Sequence, residues 1–166
     1  MRICRHVEIA APPALVWAQV SDPARVLHFF HGVTRWEVEG RRRSGLGARY
    51  RMLLRVGSAE VGGLIEVVEF SPERDLAWTS VTGVDQHGRW RLRSLPDGGT
   101  RAELRLQYGI AGGGISSWLA EQLAAPTVRG HAQRTLAQLK RIVEHERLRA
   151  AAAERRAARP RVSPPG

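Results

Sequence analysis

The chain has 166 residues, 43% of them hydrophobic and 25% charged, with a net charge of +10. That is enough for one packed core and a tail, and no apolar run approaches the roughly 20 residues of a membrane span. A single cysteine, Cys4, excludes an internal disulfide and a cysteine-based zinc site.

The first strand pattern begins at once. Over Arg2–Ile9, Ile3, Val7 and Ile9 alternate with Cys4, His6 and Glu8, which leaves no room for a signal peptide; a cytoplasmic protein is expected. Pro12 and Pro13 suit the entry to a short helix through Leu15, Val16, Trp17 and Val20. Asp22-Pro23 is a second helix start, for a short segment through Val26, Leu27, Phe29 and Phe30 that Gly32 ends. Val33–Glu39 is the second strand, with Trp36 and Val38 on one side, and Arg41, Arg42 and Arg43 lie in the turn that follows.

The third strand, Arg49–Val56, sets Tyr50, Met52, Leu54 and Val56 against Arg49, Arg51 and Arg55. The fourth covers Val61–Phe70, where Gly62-Gly63 signals a bulge or a close backbone approach. The fifth, Leu76–Thr82, is centred on Trp78. In the sixth, Trp90 and Leu92 oppose Arg89, Arg91 and Arg93; in the seventh, Ala102, Leu104, Leu106 and Tyr108 oppose Arg101, Glu103, Arg105 and Gln107. Pro96-Asp97-Gly98-Gly99 joins these two. Such strands build an antiparallel sheet with one wet face and one dry face.

After Gly112-Gly113-Gly114 the period changes to that of a helix, with Ile115, Trp118, Leu119 and Leu123 on one stripe and Leu136, Leu139, Ile142 and Val143 beyond Pro126. Proline should kink or break this helix near Ala125. From Arg147 onward six arginines face one glutamate, Glu154, so half the charge excess belongs to the last 20 residues. We read 1–149 as the folded domain and 150–166 as a basic tail, a frayed helix end running into disorder. That distribution argues for a solubilising tail over a nucleic-acid surface, and leaves contact with an anionic surface as the tail's functional alternative.

The order is thus strand, two short helices, six strands, one long helix. With Ala11-Pro12-Pro13-Ala14-Leu15-Val16-Trp17 leading to Asp22 and Pro23, Gly45-Leu46-Gly47-Ala48-Arg49-Tyr50, Glu66 to Trp78, and Thr135 to Arg141, the chain resembles the START-like, Bet v 1-like superfamily of polyketide cyclases and lipid-transfer proteins. The resemblance spans roughly residues 2–147. It implies an α+β helix-grip fold, a seven-stranded antiparallel sheet wrapped around a long C-terminal helix with two short helices after the first strand. It also implies a ligand-binding domain with an internal cavity for a small hydrophobic molecule such as a lipid, polyketide or quinone.

Candidate lining residues are those of the dry face: Trp36, Tyr50, Met52, Leu54, Trp78, Trp90, Leu92, Leu104, Leu106 and Tyr108. Phe29 and Phe30 are placed at an entrance, and Trp118, Leu119 and Leu123 on the facing helix. For each one alone, plain core packing is the competing explanation; several Trp and Tyr on one face together favour a pocket. The candidate acid or base is Glu66, because both faces of its strand are apolar with one carboxylate each, Glu66 and Glu69. The simpler alternative is a bulge at Gly62-Gly63 that brings both to the surface beside arginines. Arg5 shares parity with Ile3 and Val7, so it either anchors an anion at the cavity end or reaches back to water.

No metal is expected: His28 and His31 have no further ligand at suitable spacing. No cofactor is expected either, since neither Gly45-x-Gly47 nor Gly112-Gly113-Gly114 completes a phosphate loop. Specific nucleic acid and an integral membrane are not expected partners. The open choices are a carrier of a hydrophobic ligand, an aromatase/cyclase-type enzyme in the same cavity, and an interaction module working through its positive surface.

Overall fold

A computed structural model describes residues 1–109 and 115–158, without the side chains of 115–124. The elements run β1 (Arg2–Ile9), α1 (Pro13–Val20), α2 (Val26–Phe29), β2 (Val33–Glu39), β3 (Arg49–Val56), β4 (Ala59–Ser71), β5 (Asp75–Ser80), β6 (Asp85–Ser94), β7 (Thr100–Gly109) and α3 (Ile115–Ala157). All seven strands form one antiparallel sheet in the order β1-β7-β6-β5-β4-β3-β2. The two segments α1 and α2 are the crossing that carries the chain from one edge of the sheet to the other. The long α3 packs chiefly on β1, α1, α2 and β7. This is the helix-grip architecture.

The alternation in the sequence becomes the two faces of the sheet. Tyr50, Met52, Leu54, Ile65, Val67, Trp78, Trp90, Leu92, Leu104 and Leu106 are buried inside. Outside, charges pair across strands: Arg91 and Arg93 with Asp75 at 3.4 and 3.1 Å, and Arg89 with Glu69. Such pairs, each worth about 0.2–1 kcal/mol, let an arginine-rich strand stand in water without net repulsion.

Gly62 and Gly63 are sites of close backbone approach, not a bulge. Their pairing with Leu53 and Met52 is continuous, and a Cβ at Gly62 would lie 2.1 Å from the Met52 carbonyl oxygen, at Gly63 2.0 Å from that of Thr82. The bulge of β4 comes later, where the register with β5 shifts between Val67 and Glu69. Val68 is the extra residue, half exposed, and it re-phases the strand. Without it Glu69 would share the face of Ile65 and Val67; with it Glu69 turns out to Arg89 and Phe70 turns toward the core.

Proline does not break α3, which runs as one helix through Pro126. Ala125 and Val128 on either side are buried, and this packing outweighs a local penalty of about 3 kcal/mol. The buried stripe continues through Ala132, Thr135, Leu136, Leu139 and Val143. Beyond it the helix extends past residue 149 to Ala157 with no buried side chain; the remainder of the expected tail lies outside the described residues.

Candidate functional site

The crossing segment places aromatic side chains over one half of the sheet. The helix α2 is only four residues long, yet Phe29 and Phe30 at its end are 1% and 4% exposed. Phe30 meets Trp78 and Trp90 edge-on at 6.3 and 6.2 Å between ring centroids, and Phe29 meets Trp90 at 6.2 Å. Room for Trp78 comes from Gly88, its partner on β6: a Cβ there would lie 1.9 Å from the Trp78 ring.

Around this cluster lies an internal cavity. Its walls are Trp36, Tyr50, Ile65, Val67, Phe70, Leu76, Trp78 and Trp90 from β2 to β6, with Val20, Ser21, Pro23, Val26, Phe29 and Phe30 from the crossing segment. The space left open to the centre of a water-sized sphere is about 20 Å³, room for about one water. Phe29 and Phe30 fill what is otherwise an aromatic pocket.

The sequence-derived candidates therefore divide. Phe29, Phe30, Trp36, Tyr50, Trp78 and Trp90 line the cavity. Met52, Leu54, Leu92, Leu104 and Leu106 are buried in the core without lining it, and Tyr108 packs on that core partly buried. Trp118, Leu119 and Leu123 lie outside the residues with described side chains. Sequence reasoning missed Ile65, Val67 and Phe70, whose common face depends on the bulge at Val68, and Val20, Ser21 and Pro23, whose place depends on how the crossing segment lies.

Glu66 is not among the lining residues. It stands on the outer face, its carboxylate 2.7 Å from the Arg49 guanidinium. Arg5 reaches back to the Cys4 carbonyl at 2.9 Å, and His28 and His31 are exposed. Among the described residues no group of three or more His, Cys, Asp or Glu could hold a metal ion, and no helix is long and apolar enough to cross a membrane.

Polar groups in the wall are few. Tyr50 donates its hydroxyl hydrogen to the Arg43 carbonyl at 2.9 Å and stacks on Trp36 at 5.0 Å. Burial, helped by the Asp22 carboxylate, pushes the Tyr50 phenol up to about 12, so it stays a neutral donor. The Trp36 Nε1–H is buried with no hydrogen-bond partner. An orphaned donor of this kind costs about 1–3 kcal/mol, which an acceptor brought by a ligand would recover.

A helix-grip sheet with an aromatic cavity under its crossing helices defines a START-like protein. The sequence matches the model of the polyketide cyclase / dehydrase and lipid transport family over residues 2–144, and the chain belongs to that family. Among solved structures it is similar to TTHA0849 from Thermus thermophilus, with a TM-score of 0.73 and 23% identity over 86% of this chain and 97% of that one. The ZhuI aromatase/cyclase from Streptomyces sp. R1128 gives 0.75 and 21% identity, over 91% and 97%. A START superfamily protein from Mycobacterium smegmatis gives 0.64 and 15%, over 85% and 98%. At these identities the likeness speaks for the fold. No curated protein matches the sequence significantly.

Proposed function

We propose that the protein binds and carries a small hydrophobic ligand, of the lipid, polyketide or quinone kind, in the cavity under α2. The observation that carries this is the filling itself: two phenylalanines at the end of a four-residue helix occupy an aromatic pocket and leave only about 20 Å³ of it free. Ligand entry then requires α2 to move, and the ligand's apolar surface takes over the contacts that Phe29 and Phe30 make with Trp78 and Trp90. Opening exposes two phenylalanines at a cost of about 1.5–3 kcal/mol each, which keeps the empty protein closed.

The alternative is an aromatase/cyclase-type enzyme, favoured by the activity named for the ZhuI relative. Such chemistry needs a proton donor or acceptor at the ligand. Among the described lining residues none is a carboxylate or an imidazole, and this supports carriage over catalysis. An interaction module built on the positive sheet face is less supported, because most arginines of the strands are already paired.

Native mass spectrometry of the gently purified protein tests the proposal. A stoichiometric hydrophobic molecule released on denaturation is the expected result. A clean apo mass, with no thermal shift across lipids, quinones and aromatic polyketides, would sink it. Should turnover of a polyketide be found, unchanged rates in Glu66→Gln would rule that carboxylate out as acid or base.

A further inference from the structure

The turn between β2 and β3 carries three consecutive arginines, Arg41, Arg42 and Arg43, all exposed. Arginines elsewhere on β3 and β6 are taken up by carboxylates: Arg49 by Glu66, Arg51 by Glu39, Arg55 by Glu60, Arg91 by Asp75. Among the described residues none pairs with Arg41, Arg42 or Arg43. Asp22, on the crossing segment near Tyr50, is engaged by Arg25 at 3.2 Å.

This turn is built onto the cavity wall. The Arg43 carbonyl accepts the Tyr50 hydroxyl, the Gly47 N–H donates to the Val67 carbonyl at 2.8 Å, and the Val67 N–H donates to the Ala48 carbonyl at 2.9 Å. Tyr50 and Val67 both line the cavity. The positive φ of Gly40, Gly45 and Gly47, between +78° and +86°, lets the chain reverse between β2 and β3. Trp36, in the same wall and stacked on Tyr50, supplies the buried N–H without a partner.

We infer that the ligand is an amphiphile, its anionic head, carboxylate or phosphate, held by Arg41–Arg43 and its apolar body in the cavity with an oxygen acceptor at Trp36. This rests on the ligand-binding function proposed above. Guanidinium groups suit both heads because they donate in pairs to planar or tetrahedral oxyanions. At an exposed rim each contributes modestly, and the attraction weakens with salt.

The test uses the full chain and three named twelve-carbon probes: dodecanoate, dodecyl phosphate and dodecanol. Each competes with N-phenyl-1-naphthylamine, a neutral dye that fluoresces in apolar sites. Wild type should bind the two anions about tenfold more tightly than dodecanol, and the tighter of the two names the head group. In Arg41→Gln/Arg42→Gln/Arg43→Gln the preference should vanish while dodecanol affinity stays the same. A keto group in the chain of dodecanoate should tighten its binding to wild type but not to Trp36→Phe, which keeps the ring and removes the N–H; an equal effect in both would overturn the acceptor at Trp36. Equal affinities in wild type, or a preference that survives in the triple variant, overturn the anionic head and leave the cavity standing. If neither dye nor probes bind, the cavity function itself falls, and this inference with it.

Discussion

Under α3 the strands β1 and β7 meet a helix tied to the body of the protein at several points; under α2 the strands β3 to β6 meet a helix of four residues. On the first side Lys140 donates to the Glu8 carbonyl at 2.6 Å, Glu144 accepts the Ala10 N–H at 2.8 Å, and Gln19 donates to Glu146 at 2.7 Å. Leu104, Leu139 and Val143 there have no exposed surface. On the second side α2 is held at its ends. Asp22 and Arg25 pair at its start; after it, the His31 N–H donates to the Thr135 hydroxyl at 2.9 Å and the Arg55 N–H to the Gly32 carbonyl at 2.7 Å. Both sides are filled, but one filling is built into the fold, and on our proposal the other can be exchanged for a ligand.

The comparison can be broken at several points. Leu104→Ala, on the α3 side, should cost about 2–5 kcal/mol of stability, read from chemical denaturation, with ligand affinity unchanged. A loss of affinity beyond what unfolding explains would mean the two sides are one site. Gly88→Ala on the α2 side drives a methyl into the Trp78 ring. It should cost about 1–3 kcal/mol and shift the tryptophan emission; an unperturbed spectrum would mean the ring is free to move aside.

The smallest effect sharpens the anchoring of α3. Glu144 has its carboxyl held below the ordinary 4.5, first by the Ala10 N–H and then by Lys140. A lowered folded-state value means that the stabilisation is complete above the unfolded-state value and is lost as pH falls through the folded one. Glu144→Gln should therefore lower stability by about 0.5–1 kcal/mol at neutral pH. The gap should close in acid, and one that persists there would assign the loss to packing.

Much of the fold could be read from alternation because each strand has one wet and one dry face. Arg2–Ile9, Val33–Glu39 and Arg49–Val56 carry enough of that alternation to form β1, β2 and β3 with those bounds, although Arg5 interrupts the first and a register shift between Val33 and Arg35 the second. The failures have local physical causes. Val67 and Val68 are chemically alike, so nothing in the sequence says which is the bulged residue, and the orientation of Glu69 and Phe70 hangs on that choice. Pro126 reads as a stop because its penalty is local, while the burial of Ala125 and Val128 that offsets it is tertiary. The aromatic residues of the site were visible, but their division between core and cavity was not. That division is set by where α2 lies, and four residues carry too little periodicity to fix it.

The exchange of Phe29 and Phe30 for a ligand is tested most directly by titrating N-phenyl-1-naphthylamine into wild type, Phe30→Ala and Leu104→Ala. If Phe30 competes with the ligand, Phe30→Ala should bind about tenfold more tightly than wild type even as its stability falls, since the cost of opening is removed. Leu104→Ala should match wild type. Equal or weaker binding in Phe30→Ala, or equal gains in both variants, would make α2 an ordinary part of the core.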